Sequence, residues 1–253
     1  MAASRPIVLC ISGIDPIGAA GLQAEVEVLH RLGVHALSLV TALTVQDTVN
    51  VSAVIPTPVA TLAAQWSALQ ADGIHPQAVK VGLVADAAQA RWIAALLDSL
   101  GVPVVVDPIL KAGGGTTLAS RSVLAPILMQ ATLLTPNLDE ALALLDRPVD
   151  RDALAGAVRA QWSAEAVLVT GGDAADDAAV WHGFADAQGG LEMRHPRLAG
   201  GFRGAGCTLS ATLAGHLAMG RSPREATPLA LASTRAALSQ GWALGRGRQV
   251  PGR

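Results

Sequence analysis

The sequence has few charged residues and no excess of basic ones. Only 15% of its 253 residues are charged, and 18 basic against 20 acidic side chains give a formal net charge of −2. A nucleic-acid-binding protein needs a basic face to meet the phosphate backbone, so this balance argues against a nucleic-acid partner. Apolar residues make up 51% of the chain. That content excludes a disordered chain and is enough to build a full core.

Cysteine is scarce and histidine is scattered. Cys10 and Cys207 are the two cysteines, and they lie far apart in the sequence. Nothing in this spacing indicates a disulfide framework. The six histidines form no pair with metal-ligand spacing, so we interpret them as surface or core residues.

Targeting and membrane-spanning segments are also lacking. The segment Met1–Pro6 leads directly into a short apolar strand and has no signal-peptide apolar region. The longest apolar segments are interrupted by His216, Pro228 or Arg235, which argues against a membrane span. We therefore expect a soluble, reduced, cytoplasmic protein with no membrane partner.

Three widespread active-site motifs are absent. There is no G-x-x-x-x-G-K-[ST] phosphate loop, and Gly13, Gly18 and Gly21 do not form G-x-G-x-x-G. These absences weaken a dinucleotide-binding interpretation. The G-x-S-x-G motif of serine hydrolases is missing too, so that class is disfavoured.

Strand-like and helical segments alternate along most of the chain. Ile7–Ser12 and Val102–Asp107 are apolar, β-branched runs, and Leu22–Leu32 has helical spacing that ends at Gly33. This alternation predicts an α/β fold with a mostly parallel sheet and helices on both faces. Ligands of such sheets bind beyond the carboxyl ends of the strands. Polar or glycine-rich segments follow six predicted strands: Gly13–Gly21, Thr44–Thr48, Asp107–Gly115, Thr135–Glu140, Gly171–Gly172 and Gly200–Gly206.

The last of these segments is a glycine-rich turn before an Ala/Leu-rich helix. It places the triplet 204–206 at a helix N-terminus, where backbone N–H groups lack intrahelical partners and the macrodipole is positive. Such a turn suits a phosphate or the charge that develops in phosphoryl transfer. Cys207 falls in the first helical turn, where a thiolate is favoured, and Arg203 adds a positive charge. The alternative is a plain loop before a packing helix, with Cys207 as a small apolar residue.

Six motifs in order resemble the ribokinase-like superfamily. Within it, the chain is similar to the hydroxymethylpyrimidine/phosphomethylpyrimidine kinases of thiamine biosynthesis, from about Ile7 to about Leu244. Cysteine in the last motif is similar to that branch, whereas sugar kinases carry Asp there. The motifs are Ser12–Ala24, Thr41–Thr48, Lys80–Leu83, Asp107–Pro108, Thr135–Glu140 and Gly204–Ser210.

The resemblance implies a fold and an activity. It implies one ribokinase-like three-layer αβα domain over residues 1–253, with a loose tail at 245–253. The implied reaction is ATP- and Mg²⁺-dependent phosphorylation of 4-amino-5-hydroxymethyl-2-methylpyrimidine and then of its monophosphate. It also implies a homodimer whose partner molecules are small heteroaromatic alcohols or their monophosphates.

The same resemblance implies catalytic and metal-binding roles. Gly204, Ala205 and Gly206 would form the anion hole, and Cys207 would be the general base. Phosphoryl transfer needs mainly positioning and charge stabilisation, so a modest base suffices. The implied metal site is Asn137, Glu140 and Asp107.

Local structure offers alternatives for the metal-site residues. Asn137 and Glu140 are three residues apart, so both can face one site on a helical turn. The alternative for this pair is a helix start with an acidic residue near its positive end. Asp107 could instead cap the next turn.

The implied substrate pocket contains several departures from the family pattern. Gln46 would present its amide to the ring, with the alternative that it bonds backbone in a loop. Glu25 stands where Asp is usual and would face the ring amino group or hydroxymethyl, with the alternative of an exposed helix acid. Thr44 replaces a small apolar residue. Arg203 replaces a histidine and would hold the phosphate of a monophosphate substrate. The implied substrate-binding residues are Gly13, Asp15, Ala20, Glu25, Gln46, Ile109 and Arg203.

The implied nucleotide site is formed by Lys111, Thr170 and Gly172. Lys111 would act as a lid residue in a loop about two residues shorter than that of the family, and Thr170 stands where Lys is common. These departures motivate two alternatives: a kinase of pyridoxal, pyridoxine or pyridoxamine, and a pyrimidine-binding relative that has lost phosphoryl transfer. A cysteine-dependent hydrolase using Cys207 is a weaker third.

Overall fold

A single nine-stranded sheet runs through the protein. The computed structural model describes residues 5–111, 118–145, 147–172 and 179–253. The strands follow the spatial order β3-β2-β1-β4-β5-β6-β7-β8-β9. They are β1 (Ile7–Ile14), β2 (His35–Gln46), β3 (Val51–Pro56), β4 (Ala78–Val81), β5 (Val104–Val106), β6 (Leu133–Leu134), β7 (Ala166–Thr170), β8 (Ala179–Asp186) and β9 (Gly189–Pro196).

Strands β2, β1, β4, β5, β6 and β7 are mutually parallel, and β3, β8 and β9 pair antiparallel at the two edges. Strands β4, β5 and β6 are buried in every residue because both of their faces are covered; β5, for example, is three buried valines. Parallel strands need crossover connections, and the predicted helices supply them. The predicted three-layer α/β fold is thus confirmed.

Helices cover both faces of the sheet and build two apolar cores. Helices α2 to α6 pack on one face, in a core that includes Leu62, Ile93 and Val158. Helices α1, α7 and α8 pack on the other, in a core that includes Leu29 and Leu213. The helices are α1 (Gly21–Arg31), α2 (Val59–Ala71), α3 (Ala87–Leu100), α4 (Arg121–Leu128), α5 (Leu138–Ala143), α6 (Leu154–Trp162), α7 (Ala205–Ala218) and α8 (Pro223–Ser239).

The strand pair β2–β3 extends beyond the rest of the sheet. Strand β2 continues to Gln46, so part of the segment predicted as a polar loop is strand. Leu43 pairs with Ile55 and Thr44 with Val54. Because side chains alternate across a strand, Thr44 and Gln46 share one face of the pair while Leu43 and Val45 share the other.

The segment 245–253, predicted to be a loose tail, is fixed to the body of the protein. Gln249 forms a β-bridge with Phe202, and Val250 forms one with Trp242. Val250 is buried, and the side chain of Arg253 is only 1% exposed. The prediction rested on Arg- and Gly-rich composition, but backbone pairing to distant loops orders this segment. Among the described helices, none combines the length and apolar character needed to cross a bilayer.

Candidate active site

A cavity of about 560 Å³ opens at the carboxyl ends of the parallel strands. Every predicted site residue except Glu25 lines it. It therefore gathers segments from five strand ends and from the start of α7. The lining residues that the sequence predicted are Gly13, Asp15, Ala20, Gln46, Asp107, Ile109, Lys111, Asn137, Glu140, Thr170, Gly172, Arg203, Gly204, Ala205, Gly206 and Cys207.

The glycine-rich turn delivers the N-terminus of α7 to this cavity. Helix α7 begins at Ala205, and Gly204 is its N-cap with φ +75° and ψ 15°. This left-handed conformation favours glycine, and a Cβ at Gly204 would also overlap the carbonyl oxygen of Ala19. A Cβ at Gly206 would lie 3.5 Å from Oδ2 of Asp107. The first N–H groups of a helix have no intrahelical acceptor, so this turn can bind an anion.

Cys207 lies in the first turn of α7, as predicted, but its charge state differs from the prediction. Burial raises the pKa of its thiol to about 11, and the nearby ammonium of Lys80 opposes this only in part. The helix N-terminus favours a thiolate, but desolvation of the buried sulfur disfavours it more, and the sequence gives no sign of that burial. The thiol therefore holds its proton at neutral pH and meets a ligand as a thiol.

Glu25 does not line the cavity, contrary to the prediction that it faces the substrate ring. It is fully buried on α1, and its Oε1 lies 2.5 Å from Nζ of Lys80, which is also fully buried. A buried carboxylate without a charged partner is strongly disfavoured. Lys80 supplies that partner, which allows the Glu25 side chain to be buried. The alternative of an exposed helix acid is wrong as well.

Lys80 also interacts electrostatically with two residues that line the cavity, Cys207 and Asp107. Burial acts to lower the pKa of its ammonium, but Glu25, Cys207 and Asp107 outweigh burial, and the pKa lies above its ordinary value. Lys80 is therefore a permanent positive charge beneath the active site. From the sequence, Lys80 is only a member of the motif Lys80–Leu83, because a lysine inside a strand gives no local sign of its partner.

Asp107 follows β5 and is buried between Lys80 and the glycine-rich turn. Burial raises the pKa of its carboxyl; Lys80 lowers that pKa and Glu25 raises it further. The hydroxyl of Ser210 donates to its Oδ2 at 3.4 Å. The raised pKa shows that Lys80 and Ser210 do not fully stabilise the buried negative charge of ionised Asp107. A cation bound nearby would stabilise that charge further.

Asn137 and Glu140 line the cavity at the start of α5, where they form a reciprocal capping box. The Glu140 N–H donates to Oδ1 of Asn137 at 2.9 Å, and the Asn137 N–H donates to Oε2 of Glu140 at 3.0 Å. The helix-start alternative from the sequence therefore describes their geometry. Among the described residues, no three His, Cys, Asp or Glu side chains cluster closely enough to form a metal site by themselves.

Arg203 and Gln46 contact each other directly in the part of the cavity beside β1 and β2. The Nη2 group of Arg203 donates to Oε1 of Gln46, and its Nε lies 3.9 Å from Oδ2 of Asp15. The side-chain oxygen of Gln46 thus accepts a hydrogen bond from Arg203, and the side-chain N–H groups of Gln46 remain available to a ligand. Asp15 accepts the N–H groups of Ile17 and Ala20, so it shapes the loop between β1 and α1.

At the other end of the cavity, Thr170 and Gly172 follow β7. Sequence reasoning missed the histidine pair beside them: the His182 and His195 rings lie 5.7 Å apart. Burial, together with His195, lowers the pKa of His182 to about 4. The hairpin register could have revealed this pair, since His195 pairs with Val180, two residues from His182 on the same face. Lys111 lines the cavity, but the rest of the predicted lid, 112–117, lies outside the described residues.

The fold and this cavity define a ribokinase-like kinase of small molecules. Solved structures support the class: a Staphylococcus aureus pyridoxal kinase bound to AMP-PCP is 26% identical, with a TM-score of 0.88 over 99% of this chain and 94% of that one. A Bacillus subtilis pyridoxal kinase in complex with ADP is also 26% identical, with a TM-score of 0.89 over 98% of this chain and 97% of that one.

The particular family is specified by sequence. The family model for phosphomethylpyrimidine kinase matches residues 15–251. A hydroxymethylpyrimidine/phosphomethylpyrimidine kinase from Streptomyces coelicolor is 36% identical over 96% of this chain and 92% of the relative. One from Mycobacterium tuberculosis is 36% identical over 96% of this chain and 91% of the relative. The chain belongs to the phosphomethylpyrimidine kinase family.

Proposed function

We propose that this protein transfers a phosphoryl group from ATP to 4-amino-5-hydroxymethyl-2-methylpyrimidine, and then phosphorylates the monophosphate. The observation that carries the proposal is the meeting of Gly204–Gly206, Asp107 and Gln46 around one cavity. The family match and the relatives at 36% identity support the pyrimidine as substrate.

The glycine-rich turn supplies the charge stabilisation. The backbone N–H groups at the start of α7 would receive the equatorial oxygens of the transferred phosphoryl group as their charge develops. Cys207, next in the chain, would orient the attacking hydroxyl, and its thiolate form would accept the proton of that hydroxyl. Its raised pKa makes the thiolate a small fraction at neutral pH, so proton transfer to sulfur would occur only from that fraction.

The alcohol would bind at the end formed by β1 and β2. Gln46 would donate its amide N–H groups to the ring, and Gly13, Ala20 and Ile109 would surround it. Arg203 would bind the phosphate of the monophosphate, because its Nε is buried without a hydrogen-bond partner beside the cavity. Asp15 would hold the surrounding loop in place. Glu25 is not proposed to touch the substrate.

ATP would occupy the end formed by Lys111, Thr170 and Gly172. Mg²⁺ would be held by Asp107 and, partly through water, by Asn137 and Glu140. These are oxygen donors, which Mg²⁺ prefers, and the ion normally keeps several waters in such a site. When bound, Mg²⁺ supplies positive charge that neutralises phosphate oxygens. The uncompensated carboxylate of Asp107 fits a cation at this place.

The direct test is an ATP-consumption assay with a panel of alcohols. We expect ADP formation with the pyrimidine alcohol, and kcat/KM at least about tenfold higher than for pyridoxal, roughly what one recognised polar contact contributes to discrimination.

A pyridoxal-type kinase is the second candidate, because the similar solved structures include pyridoxal kinases. Faster turnover of pyridoxal would select that candidate, and ligand binding without ADP release would select a binding protein. A protonated Cys207 thiol disfavours the cysteine hydrolase.

We also propose that the chain is a single kinase domain that acts as a cytoplasmic homodimer. Leu43, Val45 and Ile55 are each at least half exposed on the face of β2–β3 that points away from the cavity. In a two-fold dimer the same patch of both copies meets, so this apolar face would be buried against its own copy. Light scattering should give twice the chain mass of 25.7 kDa for the wild type. A wild-type monomer, or an unchanged dimer in Leu43→Glu, would count against this interface.

A further inference from the structure

The segment 245–253, hereafter the strap, joins three loops that line the active-site cavity. It contacts the loop 15–20 after β1, the loop 47–50 after β2, and the glycine-rich turn 200–206 before α7. These loops are far apart in sequence, and each carries or adjoins residues proposed to bind the substrate. The strap thus links the substrate end of the cavity to the anion-binding end.

Backbone hydrogen bonds fix the middle of the strap. The Gly247 N–H donates to the Thr48 hydroxyl at 3.0 Å, and the Arg248 N–H donates to the Thr48 carbonyl at 3.1 Å. The Gln249 N–H donates to the Gly201 carbonyl at 2.9 Å, and the Arg203 N–H donates to the Gln249 carbonyl at 2.9 Å. The backbone of Arg203 is therefore positioned by the strap.

The side chain of Arg253 makes the third connection. Its guanidinium is buried, with Nε donating to the Thr208 hydroxyl at 2.8 Å. Nη1 donates to the Gly18 carbonyl at 3.2 Å, and Nη2 donates to the Ala19 carbonyl. Nη1 also lies 3.4 Å from Oε2 of Glu27. One planar group thus ties α7 to the loop before α1, as its fork of donors allows.

This connection lies where the loop and the glycine-rich turn touch. A Cβ at Gly204 would overlap the Ala19 carbonyl oxygen and lie 2.9 Å from Nη2 of Arg253. Ala20, next to Ala19, lines the cavity, and Cys207 precedes Thr208. A shift of either carbonyl held by Arg253 would therefore change the separation between the alcohol pocket and the amides of α7.

We propose that Arg253 is a positioning residue that holds the substrate loop 15–20 against the glycine-rich turn, so that the bound alcohol faces the anion hole. The proposal rests on the proposed kinase function for its kinetic consequences. Arg253 touches neither substrate nor nucleotide. It acts through Gly18, Ala19 and Thr208.

The kinetic test compares Arg253→Ala and Arg253→Lys with Arg246→Ala, a control that removes an exposed arginine from the same strap. For Arg253→Ala we expect kcat to fall about 10- to 100-fold, the scale of a misplacement near 1 Å. KM for the alcohol should rise, and KM for ATP should stay within about twofold, because the nucleotide end is remote from Arg253. Arg253→Lys should recover only part of kcat, since an ammonium lacks the guanidinium fork. Arg246→Ala should match the wild type.

Hydrogen exchange followed by mass spectrometry gives a readout that does not need turnover. In Arg253→Ala and Arg253→Lys, exchange should rise in peptides covering 15–20 and 201–208 and stay unchanged in β4 to β7. Unchanged kcat and alcohol KM would overturn the proposal, as would exchange that rises throughout the chain together with KM for ATP. If the wild type phosphorylates no alcohol, the proposed function fails, and localised exchange still decides whether Arg253 couples the two loops.

Discussion

Cys207 lies against the N-terminus of α7, yet its side chain is buried and the pKa of its thiol is about 11. The helix end and Lys80 both favour the thiolate, but desolvation is the larger effect. The site therefore holds a protonated sulfur above the buried cation of Lys80. Only the minor thiolate fraction can accept a proton, so the base role proposed for Cys207 depends on that fraction.

Replacing this thiol tests its part in proton transfer. In Cys207→Ala we expect kcat to fall about 100-fold, the lower end of what one general base contributes, with KM for ATP within about twofold. Steady-state kinetics with the pyrimidine alcohol measures both. Cys10→Ala removes the other free thiol, which lies in β1 outside the cavity, and should leave kcat unchanged. Equal rates for Cys207→Ala and the wild type would show that the thiol is not the base.

The buried Glu25–Lys80 pair leads to a prediction about stability. Lys80→Met leaves Glu25 as an uncompensated buried charge and should lower the free energy of unfolding by about 3–5 kcal/mol. The double variant Glu25→Leu/Lys80→Met removes both charges. Its free energy of unfolding should fall by clearly less than the sum of the decreases in the single variants Glu25→Leu and Lys80→Met. Urea unfolding of all four proteins measures this. Additive losses would mean that the two side chains do not interact.

Helix α7 begins directly after the glycine-rich turn and so places its N-terminus at the proposed anion-binding site. Its N-cap Gly204 requires a left-handed backbone and sits against Ala19. Gly220, after the same helix, also has a positive φ, of +84°, but a Cβ there would meet nothing within 4 Å. An alanine at Gly220 would therefore suffer backbone strain alone, whereas an alanine at Gly204 would suffer both backbone strain and a steric clash.

Gly220→Ala should lower the free energy of unfolding by about 1–2 kcal/mol through strain alone and leave kcat unchanged. Gly204→Ala should lower it further and reduce kcat at least about tenfold, because the new methyl group displaces Ala19 and the helix end. Thermal unfolding and the ADP assay give the two values. Normal kcat in Gly204→Ala would mean that the geometry of this turn does not matter for transfer.

The β8–β9 hairpin carries a pH-sensitive residue, His182, at the proposed nucleotide end of the cavity. The ordinary pKa of a histidine is about 6.5, and burial with His195 lowers that of His182 to about 4. The unfolded chain therefore binds more protons than the folded one between these values. Stability is retained above the ordinary pKa and falls as pH drops from about 6.5 towards 4, by at most about 3 kcal/mol from this residue.

His182→Asn should remove that part of the pH dependence. Its free energy of unfolding should fall less than that of the wild type between pH 6.5 and 4, as measured by urea unfolding at several pH values. His75→Asn, which changes an exposed histidine, should follow the wild-type profile. Parallel profiles for the wild type and His182→Asn would contradict the effect of burial on His182.

At the scale of the whole molecule, the sequence predicted the sheet, its covering helices and the loops at the strand ends, because each of these leaves a local pattern. The apolar runs of β1 and β5 and the alternation with helices predicted the sheet, and the loops after the strands meet in one cavity. The resemblance added the roles of the residues there. What the sequence did not reveal are contacts between distant segments: Glu25 with Lys80, 55 residues apart, and Arg253 with Gly18, 235 residues apart. Neither leaves a local pattern, because each residue is ordered by a partner from another part of the fold.

The central claim is that one cavity brings a pyrimidine hydroxymethyl group to the N-terminus of α7 for phosphoryl transfer. The most direct measurement is phosphorus NMR of the purified protein with ATP, Mg²⁺ and 4-amino-5-hydroxymethyl-2-methylpyrimidine. We predict a phosphomonoester resonance that appears first and is then replaced by a diphosphate, both at least about tenfold slower to appear with Gly204→Ala. A spectrum in which ATP persists with the pyrimidine, while pyridoxal is phosphorylated under the same conditions, would contradict this account.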